Sequence, residues 1–210
     1  MAYSYSKASS HSIKNNDCYL LDANIWLKIL SPKINPSYKD KNYRDFFEKI
    51  VKNTKVRIVL PALIVSEVIN RILRDVHYNK HINKLKKNNP SFNPDTRYYK
   101  DVYRASEEYR IAYSLICDEI KNYATSIDLI NDEFGSTFKF KHILKDPPQS
   151  LDFNDYYYYN LCKKKGYILV TDDKDFWIEN IKVVTMSKTL LDKGISLIVK
   201  KQQSKTQSKL

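Results

Sequence analysis

Short apolar runs alternate with amphipathic segments along much of this chain, and that alternation restricts the fold more than any other feature. Residues 18–22 are apolar until they end on a carboxylate, and residues 24–30 continue with helical character. Residues 56–60 are rich in β-branched side chains and are followed by Pro61, and residues 63–76 place apolar side chains on one helical face. This strand–helix–strand–helix order is typical of a parallel sheet covered by helices. The sequence therefore predicts a three-layer α/β/α fold with a central parallel sheet.

The alternation stops in the middle of the chain and returns in its last third. Between about residues 77 and 148 a long helical periodicity dominates, which we interpret as a helical insertion into the α/β domain. Residues 152–165 predict a helix that ends at Gly166, with three lysines in its last turn as the helix macrodipole favours. Short strands are expected at 167–170 and 181–184.

The domain boundaries follow from length and composition. A chain of 210 residues favours a single domain with an insertion. We place this domain at residues 17–199, between a flexible, serine-rich N-terminus at 1–16 and a disordered basic tail at 200–210. The N-terminus lacks the apolar core of a signal peptide, and the sequence shows no apolar run long enough to span a bilayer. We therefore expect a cytoplasmic protein with no membrane partner.

The charge balance predicts a polyanionic partner. Lys plus Arg total 36 and Asp plus Glu total 24, so the formal net charge is +12. Nucleic acid is the first candidate partner for such a chain, although charge alone leaves open a basic protein without one. The lysine-rich stretch at 80–87 is usually a solvated face. The candidates for nucleic-acid contacts are Lys84, Lys86, Lys87 and Arg71.

Acidic residues lie where the predicted strands end. Asp22 closes the first strand, Asp172 and Asp173 follow a later one, and Glu67 lies early in the helix after the second strand. In open parallel sheets the ligand site lies outside the carboxyl ends of the strands. Clustered carboxylates are costly unless cations neutralise them, and they suit Mg²⁺ or Mn²⁺. Such ions serve phosphoryl chemistry by activating water and stabilising charge on the phosphate.

Each acid also has an ordinary structural explanation. Asp22 can cap a helix, Glu67 can be a solvated helix residue, and Asp155 is favoured by the dipole at a helix start. Asp172 and Asp173 are common turn residues. Their joint placement at strand edges in one chain is what favours a functional site.

Four segments resemble the motifs of PIN domains in order and in context. Residues 20–27 (LLDANIWL) are similar to the opening strand motif, and residues 65–71 (VSEVINR) to the second motif, a helical Glu after the second strand. Residues 152–162 (DFNDYYYYNLC) resemble the third motif, an Asp-initiated helix, and residues 169–176 (LVTDDKDF) closely resemble the fourth. The four tyrosines and the longer middle section depart from the family pattern. We expect the tyrosines, Tyr156–Tyr159, to pack around a half-buried helix.

The resemblance implies a metal-dependent endoribonuclease that hydrolyses RNA phosphodiester bonds with one or two Mg²⁺ or Mn²⁺ ions. The family's catalytic and metal-binding acids correspond here to Asp22, Glu67, Asp155 and Asp173, with Asp175 as the alternative metal ligand at the fourth position. Four further residues are expected next to these ligands, where Asn24 and Thr171 would orient carboxylates or coordinated water by hydrogen bonds. These four are Asn24, Asp152, Thr171 and Asp172.

The resemblance also suggests a biological role and partners. Many simple bacterial members of the family are toxins held by a small antitoxin, so we expect a toxin or defence role, with an antitoxin and a second copy of the chain as partners. Two other functions stay open: a PIN-fold module that binds RNA or protein without cutting, and a DNA structure-specific nuclease. The complete set of acids argues against the first, because a binding module has no need to keep repulsive carboxylates together. The helical insertion could imitate the DNA-clamping element of the second.

Overall fold

A computed structural model of the chain describes residues 4–31, 35–130 and 151–194. Six strands within these ranges form one sheet in which every neighbouring pair is parallel. The strands are β1 (Ser4–Lys7), β2 (Cys18–Leu21), β3 (Arg57–Pro61), β4 (Ile127–Ile130), β5 (Ile168–Val170) and β6 (Lys182–Thr185). Their order across the sheet is β1-β6-β5-β2-β3-β4.

Helices connect these strands and flank the sheet. A π-helical segment, Leu73–Tyr78, joins the third helix to the fourth, and residues 188–194 are helical at the end of the last described range. The other helices are α1 (Ala23–Leu30), α2 (Tyr38–Val51), α3 (Ala62–Ile72), α4 (Asn79–Asn88), α5 (Tyr98–Asp101), α6 (Glu107–Lys121) and α7 (Phe153–Lys165). The parallel sheet with its flanking helices confirms the predicted α/β/α fold class.

The central strands fix the position of the functional edge. β2 and β5 are almost wholly apolar and buried, as expected for strands covered on both faces. They pair in parallel with Leu21 opposite Val170, and the N–H of Asp22 donates to the carbonyl of Val170 at 3.0 Å. Asp22 and Thr171 therefore leave the sheet side by side at the carboxyl ends of the two central strands.

Part of the N-terminal segment, which we expected to be flexible, forms a strand. Residues 4–7 form β1, which pairs with β6 from Ser4 opposite Lys182 to Lys7 opposite Thr185. The hydroxyl of Tyr5 donates to the carbonyl of Ile178 at 2.9 Å and accepts from the N–H of the same residue at 2.9 Å. Edge strands commonly carry polar side chains, so the polar composition concealed this strand.

The middle section is not entirely helical, which corrects the expected insertion at about 77–148. Residues 127–130 form β4, an edge strand beside β3, and Arg57 pairs with Asp128 across the two strands. Ala112 and Ile116 on α6 are buried in the main core, so this section is part of the domain. A short apolar run at a helix end cannot be assigned to strand or helix from periodicity alone, which explains the error.

Some expectations fall on other parts of the chain. The end of the expected insertion, residues 131–148, and the expected tail at 200–210 lie outside the described residues. Within the described ranges, none of the helices combines the length and the apolar character that crossing a membrane requires.

Gly166 ends α7, as the sequence predicted, in the left-handed region at φ 75°. A Cβ added there would meet nothing within 4 Å, so substitution costs only backbone strain. We expect Gly166→Ala to lower the free energy of unfolding by ~1 kcal/mol, and Gly166→Asn to lower it less, because Asn tolerates this conformation. Urea denaturation of the three proteins measures the difference. Equal stability of Gly166→Ala and the native chain would show that the helix end does not depend on this conformation.

Candidate active site

A hydrogen bond between Thr171 and Asp22 joins the ends of the two central strands. Thr171 is fully buried and Asp22 is 6% exposed. Thr171 Oγ1 donates to Asp22 Oδ2 at 2.7 Å and accepts from the N–H of Asp173 at 3.0 Å. One hydroxyl thus orients the Asp22 carboxylate and fixes the loop that carries Asp173.

Asn24 completes this network from the first turn of α1. Its side-chain Nδ2 donates to Asp22 Oδ2 at 2.5 Å and to Thr171 Oγ1 at 3.2 Å, and its Oδ1 accepts from the N–H of Asp172 at 3.3 Å. Asp22 occupies the N-cap position of α1, but its carboxylate is held by side chains from two elements. This is the arrangement expected of an oriented ligand, and a helix cap would not need it.

Glu67 reaches the same edge from α3. Its Oε2 accepts from Asn154 Nδ2 and from the hydroxyl of Tyr158, each at 3.4 Å, and its Oε1 lies 3.8 Å from Arg71 Nη1. Asn154 and Tyr158 both belong to α7, so Glu67 links α3 to the helix that carries Asp155. Tyr158 is also the member of the tyrosine run that faces the acids.

The N-cap of α7 determines where Asp155 lies. The side chain of Asp152 accepts from the N–H of Asp155 at 2.9 Å, which fixes the first turn of the helix. Asp152 is exposed and Asp155 is half-buried, so the two carboxylates differ in environment. Asp152 therefore acts on the site through helix geometry and through its charge.

Burial and mutual repulsion raise the pKa of the central acids. Burial raises the pKa of Asp22 to about 6, and the charges of Glu67 and Asp173 add to the rise while the hydrogen bond from Thr171 opposes it. Burial also raises the pKa of Asp155 to about 7, helped by the charges of Asp152, Asp22 and Asp173. Asp22 is thus within electrostatic reach of Glu67 and Asp173, and Asp155 is within reach of Asp22 and Asp173, although the four acids come from different elements.

The other acids of the fourth motif have different surroundings. Asp172 accepts from the Tyr43 hydroxyl at 3.2 Å and lies 3.6 Å from Lys28 Nζ and 3.4 Å from Lys39 Nζ. The Asp172 side chain therefore ties the loop after β5 to α1 and α2. Its backbone N–H donates to Asn24, which in turn holds the Asp22 carboxylate. The N–H of Asp175 donates to Asp173 Oδ1 at 2.9 Å, which orients the Asp173 carboxylate.

The expected nucleic-acid contacts are divided between two places. Arg71 lies at the site, between Glu67 and Asp75, at 3.8 Å from each. Lys84, Lys86 and Lys87 are exposed on α4. Their contribution to nucleic-acid binding stays a prediction.

Four positioning side chains escaped the sequence analysis: Lys28, Tyr43, Asn154 and Tyr158. Tyr43 is fully buried on α2, where its one hydroxyl hydrogen is shared between the Thr171 carbonyl at 3.1 Å and Asp172 at 3.2 Å, and its oxygen accepts from the N–H of Met186 at 2.6 Å. Burial raises the pKa of Tyr43. Asn154 lies between the two acids of the third motif, and that spacing was the one available signal.

The residue types of this cluster fit a hard divalent cation. All four central side chains offer carboxylate oxygens, the ligands that Mg²⁺ and Mn²⁺ prefer, and a cation would offset the repulsion that raises their pKa values. In the described ranges, no group of three or more His, Cys, Asp or Glu side chains is arranged to hold a metal ion as it stands.

Comparison with known proteins finds one matching family model and several similar solved structures. The model of the PIN domain family matches residues 19–182. Two similar solved structures are VapBC2 from Rickettsia felis bound to a DNA fragment from its promoter, and PAE2754 from Pyrobaculum aerophilum. The first has a TM-score of 0.48 and 15% identity over 80% of this chain and 98% of that chain. The second has a TM-score of 0.42 and 16% identity over 86% of this chain and 91% of that chain.

The comparison with curated proteins gave no significant match. The family match covers most of the sequence and includes Asp22, Glu67, Asp155 and Asp173. PIN domains are typically nucleases, and the acids lie at the carboxyl ends of the parallel strands. The chain belongs to the PIN domain family.

Proposed function

We propose that this protein is a metal-dependent endoribonuclease whose catalytic acids are Asp22, Glu67, Asp155 and Asp173. The observation that carries the proposal is the convergence of these carboxylates from four elements, at a cost visible in the raised pKa values of Asp22 and Asp155. A cluster that opposes its own ionisation favours a bound cation. No purely structural role of the fold requires it.

The four acids would hold one or two Mg²⁺ or Mn²⁺ ions, with Asp175 as the alternative fourth ligand. A bound ion would activate water and stabilise charge on the phosphate. The protein's own contribution is orientation. Thr171 and Asn24 hold the Asp22 carboxylate, Asn154 and Tyr158 hold Glu67, and Asp152 fixes the helix turn of Asp155.

RNA is the proposed substrate because the family resemblance and the net charge of +12 both favour it. A DNA structure-specific nuclease and a non-catalytic PIN-fold binding module are the alternatives. A toxin role, with an antitoxin and a second copy of the chain as partners, stays a prediction from the family resemblance, as does a cytoplasmic location.

Cleavage should depend on the acids. We expect Asp22→Asn to lower RNA cleavage in Mn²⁺ by at least ~10²-fold, because it removes a charge that the metal requires while keeping the side-chain shape. Glu67→Gln and Asp155→Asn should behave alike, and pairs should add little further loss because the acids act as one unit. The measurement is initial cleavage rate on RNA and on DNA of the same sequence.

Asp118→Asn is the matched control, since Asp118 is an exposed acid of α6 that pairs with Lys121. It should cleave at the native rate. Faster cleavage of DNA than of RNA would favour the DNA nuclease, and full activity of Asp22→Asn would falsify the assigned site.

The metal-free fold should lose stability as the acids ionise. The folded pKa of Asp22, about 6, exceeds its ordinary value of 3.8. The ionisation of Asp22 therefore lowers the free energy of unfolding by nothing below about pH 4 and by its full amount above about pH 7. Asp22→Asn removes this penalty. Its melting temperature minus that of the native chain, measured in EDTA, should therefore become more positive across this window. A difference that does not change with pH would show that Asp22 carries no such repulsion.

Divalent cations should bind at neutral pH and stabilise the fold. Calorimetry with Mg²⁺ or Mn²⁺ should show binding near pH 7.5 that weakens as the acids protonate below about pH 6. The ions should also raise the melting temperature, because they relieve repulsion among the acids. Asp22→Asn should lose most of both effects, and Asp118→Asn should keep them. No binding at neutral pH would favour the non-catalytic module.

A further inference from the structure

Two clefts lie in series beside the acid cluster, on the surface formed by α1 and α2. The proximal cleft has a volume of about 320 Å³, and Asn24, Leu27, Lys28, Arg44, Arg71 and Val76 are among its lining residues. Asn24 hydrogen-bonds the Asp22 carboxylate and Arg71 lies against Glu67, so two lining residues of this cleft contact the acids. Its volume is near the lower end of the range for ligand sites, about 300 Å³.

The distal cleft follows on the far side of Arg44. It has a volume of about 180 Å³, and its walls include Arg44, Phe47, Lys52 and Tyr123. Arg44 lines both clefts. Asn24 lines the proximal cleft and also hydrogen-bonds the Asp22 carboxylate. The two clefts therefore flank Arg44, and Asn24 connects the proximal cleft to the hydrogen bonds around Asp22.

Among the described residues that line the two clefts, Arg44 is the cation without an ion pair, since Lys52 pairs with Glu48 at 3.2 Å. Lys28 lies 3.5 Å from Asp40 and 3.6 Å from Asp172, and Arg71 pairs with Glu67 and Asp75. Arg44 donates from Nε to the Lys28 carbonyl at 3.0 Å, and among the described residues it forms no ion pair. Its anchored guanidinium thus keeps a full positive charge at the junction of the clefts, which suits a phosphate group.

The walls of the clefts suit the other parts of a nucleotide. Leu27 and Val76 give the proximal cleft an apolar side, and the distal cleft contains the half-buried ring of Tyr123, packed edge-on against Phe47 with centroids 4.9 Å apart. Aromatic walls stack bases of any sequence. Bases enter separate clefts only when they are unstacked, which favours a single strand over a duplex.

We propose that the two clefts form a track for single-stranded nucleic acid, in which Arg44 binds the phosphate between two successive nucleotides. One nucleotide lies in the proximal cleft next to the cut, and the next lies in the distal cleft. This track rests on the proposed nuclease function, to which it adds a positioning residue of this chain outside the acid cluster.

The first test measures binding without cleavage. Asp22→Asn serves as the inert background, and the probe is a labelled single-stranded RNA of about 8 nucleotides, followed by fluorescence anisotropy over a range of salt concentrations. Adding Arg44→Gln should weaken binding roughly tenfold or more, because a charge-assisted contact is lost. The slope of log affinity against log salt should shrink by about 0.7, the loss of one phosphate contact on a single strand.

Two matched variants separate charge from structure. Arg110→Gln removes the same side chain from an exposed position on α6 and should leave affinity and salt slope unchanged. Arg44→Lys keeps the charge but loses the Nε bond to Lys28, so it should retain the salt slope. If Arg44→Lys behaves like Arg44→Gln, the role of Arg44 is structural and the track is wrong.

The second test uses cleavage of oligonucleotides extended by two nucleotides on either side of the cut. The native chain should gain in kcat/KM from extension on one side only, and Arg44→Gln should lose that gain through KM, while Arg110→Gln should keep it. Cleavage that depends on Asp22 but not on Arg44 would reject the track and keep the nuclease. Arg44-dependent binding of single strands without any cleavage would keep the track and reject the nuclease.

Binding of duplex RNA as tightly as the single strand, with no effect of Arg44→Gln, would overturn the track in favour of another occupant of the clefts, such as a protein segment.

Discussion

The candidate site depends on one buried hydrogen bond, from Thr171 Oγ1 to Asp22 Oδ2. It joins the ends of the two central strands, whose register places Leu21 opposite Val170. Because both residues are almost fully buried, removal of the hydroxyl would leave a charged oxygen without this donor, which is costly in a dry environment. The same hydroxyl accepts from the Asp173 N–H, so two acids of the cluster depend on one side chain.

Other parts of the scaffold hold the acids in place against the repulsion between their carboxylates. Each acid comes from a different element. Asp22 and Glu67 are held by polar side chains that carry no charge, as Asn24 holds Asp22 and Tyr158 holds Glu67. Neutral donors orient a carboxylate without cancelling its charge, which leaves the cluster able to attract a cation. Arg71 is a cation close to the cluster, and at 3.8 Å its contact with Glu67 is long.

The sequence predicted the fold class, and it predicted that Asp22 and Thr171 lie together, because both depend on local patterns. Asp22 and Thr171 follow apolar runs, and strand ends in a parallel sheet meet at one edge, so their proximity follows from the pattern. The edge strands β1 and β4 were missed because an edge strand has one neighbour and needs no long apolar run. Asn154 and Tyr158, which hydrogen-bond Glu67, were missed because these contacts depend on how α7 packs against α3. No local sequence pattern records that packing.

Neighbouring acids after β5 show how one short segment serves both stability and chemistry. The charge of Asp173 acts on Asp22 and Asp155, while the Asp172 side chain contacts Tyr43, Lys28 and Lys39 and ties α1 and α2 to the sheet. Because Lys28 also lines the proximal cleft, the contact that anchors these helices shapes the path to the acids. A change at Asp172 would thus act on the cleft and on the position of Asp173 together, although its carboxylate faces away from the cluster.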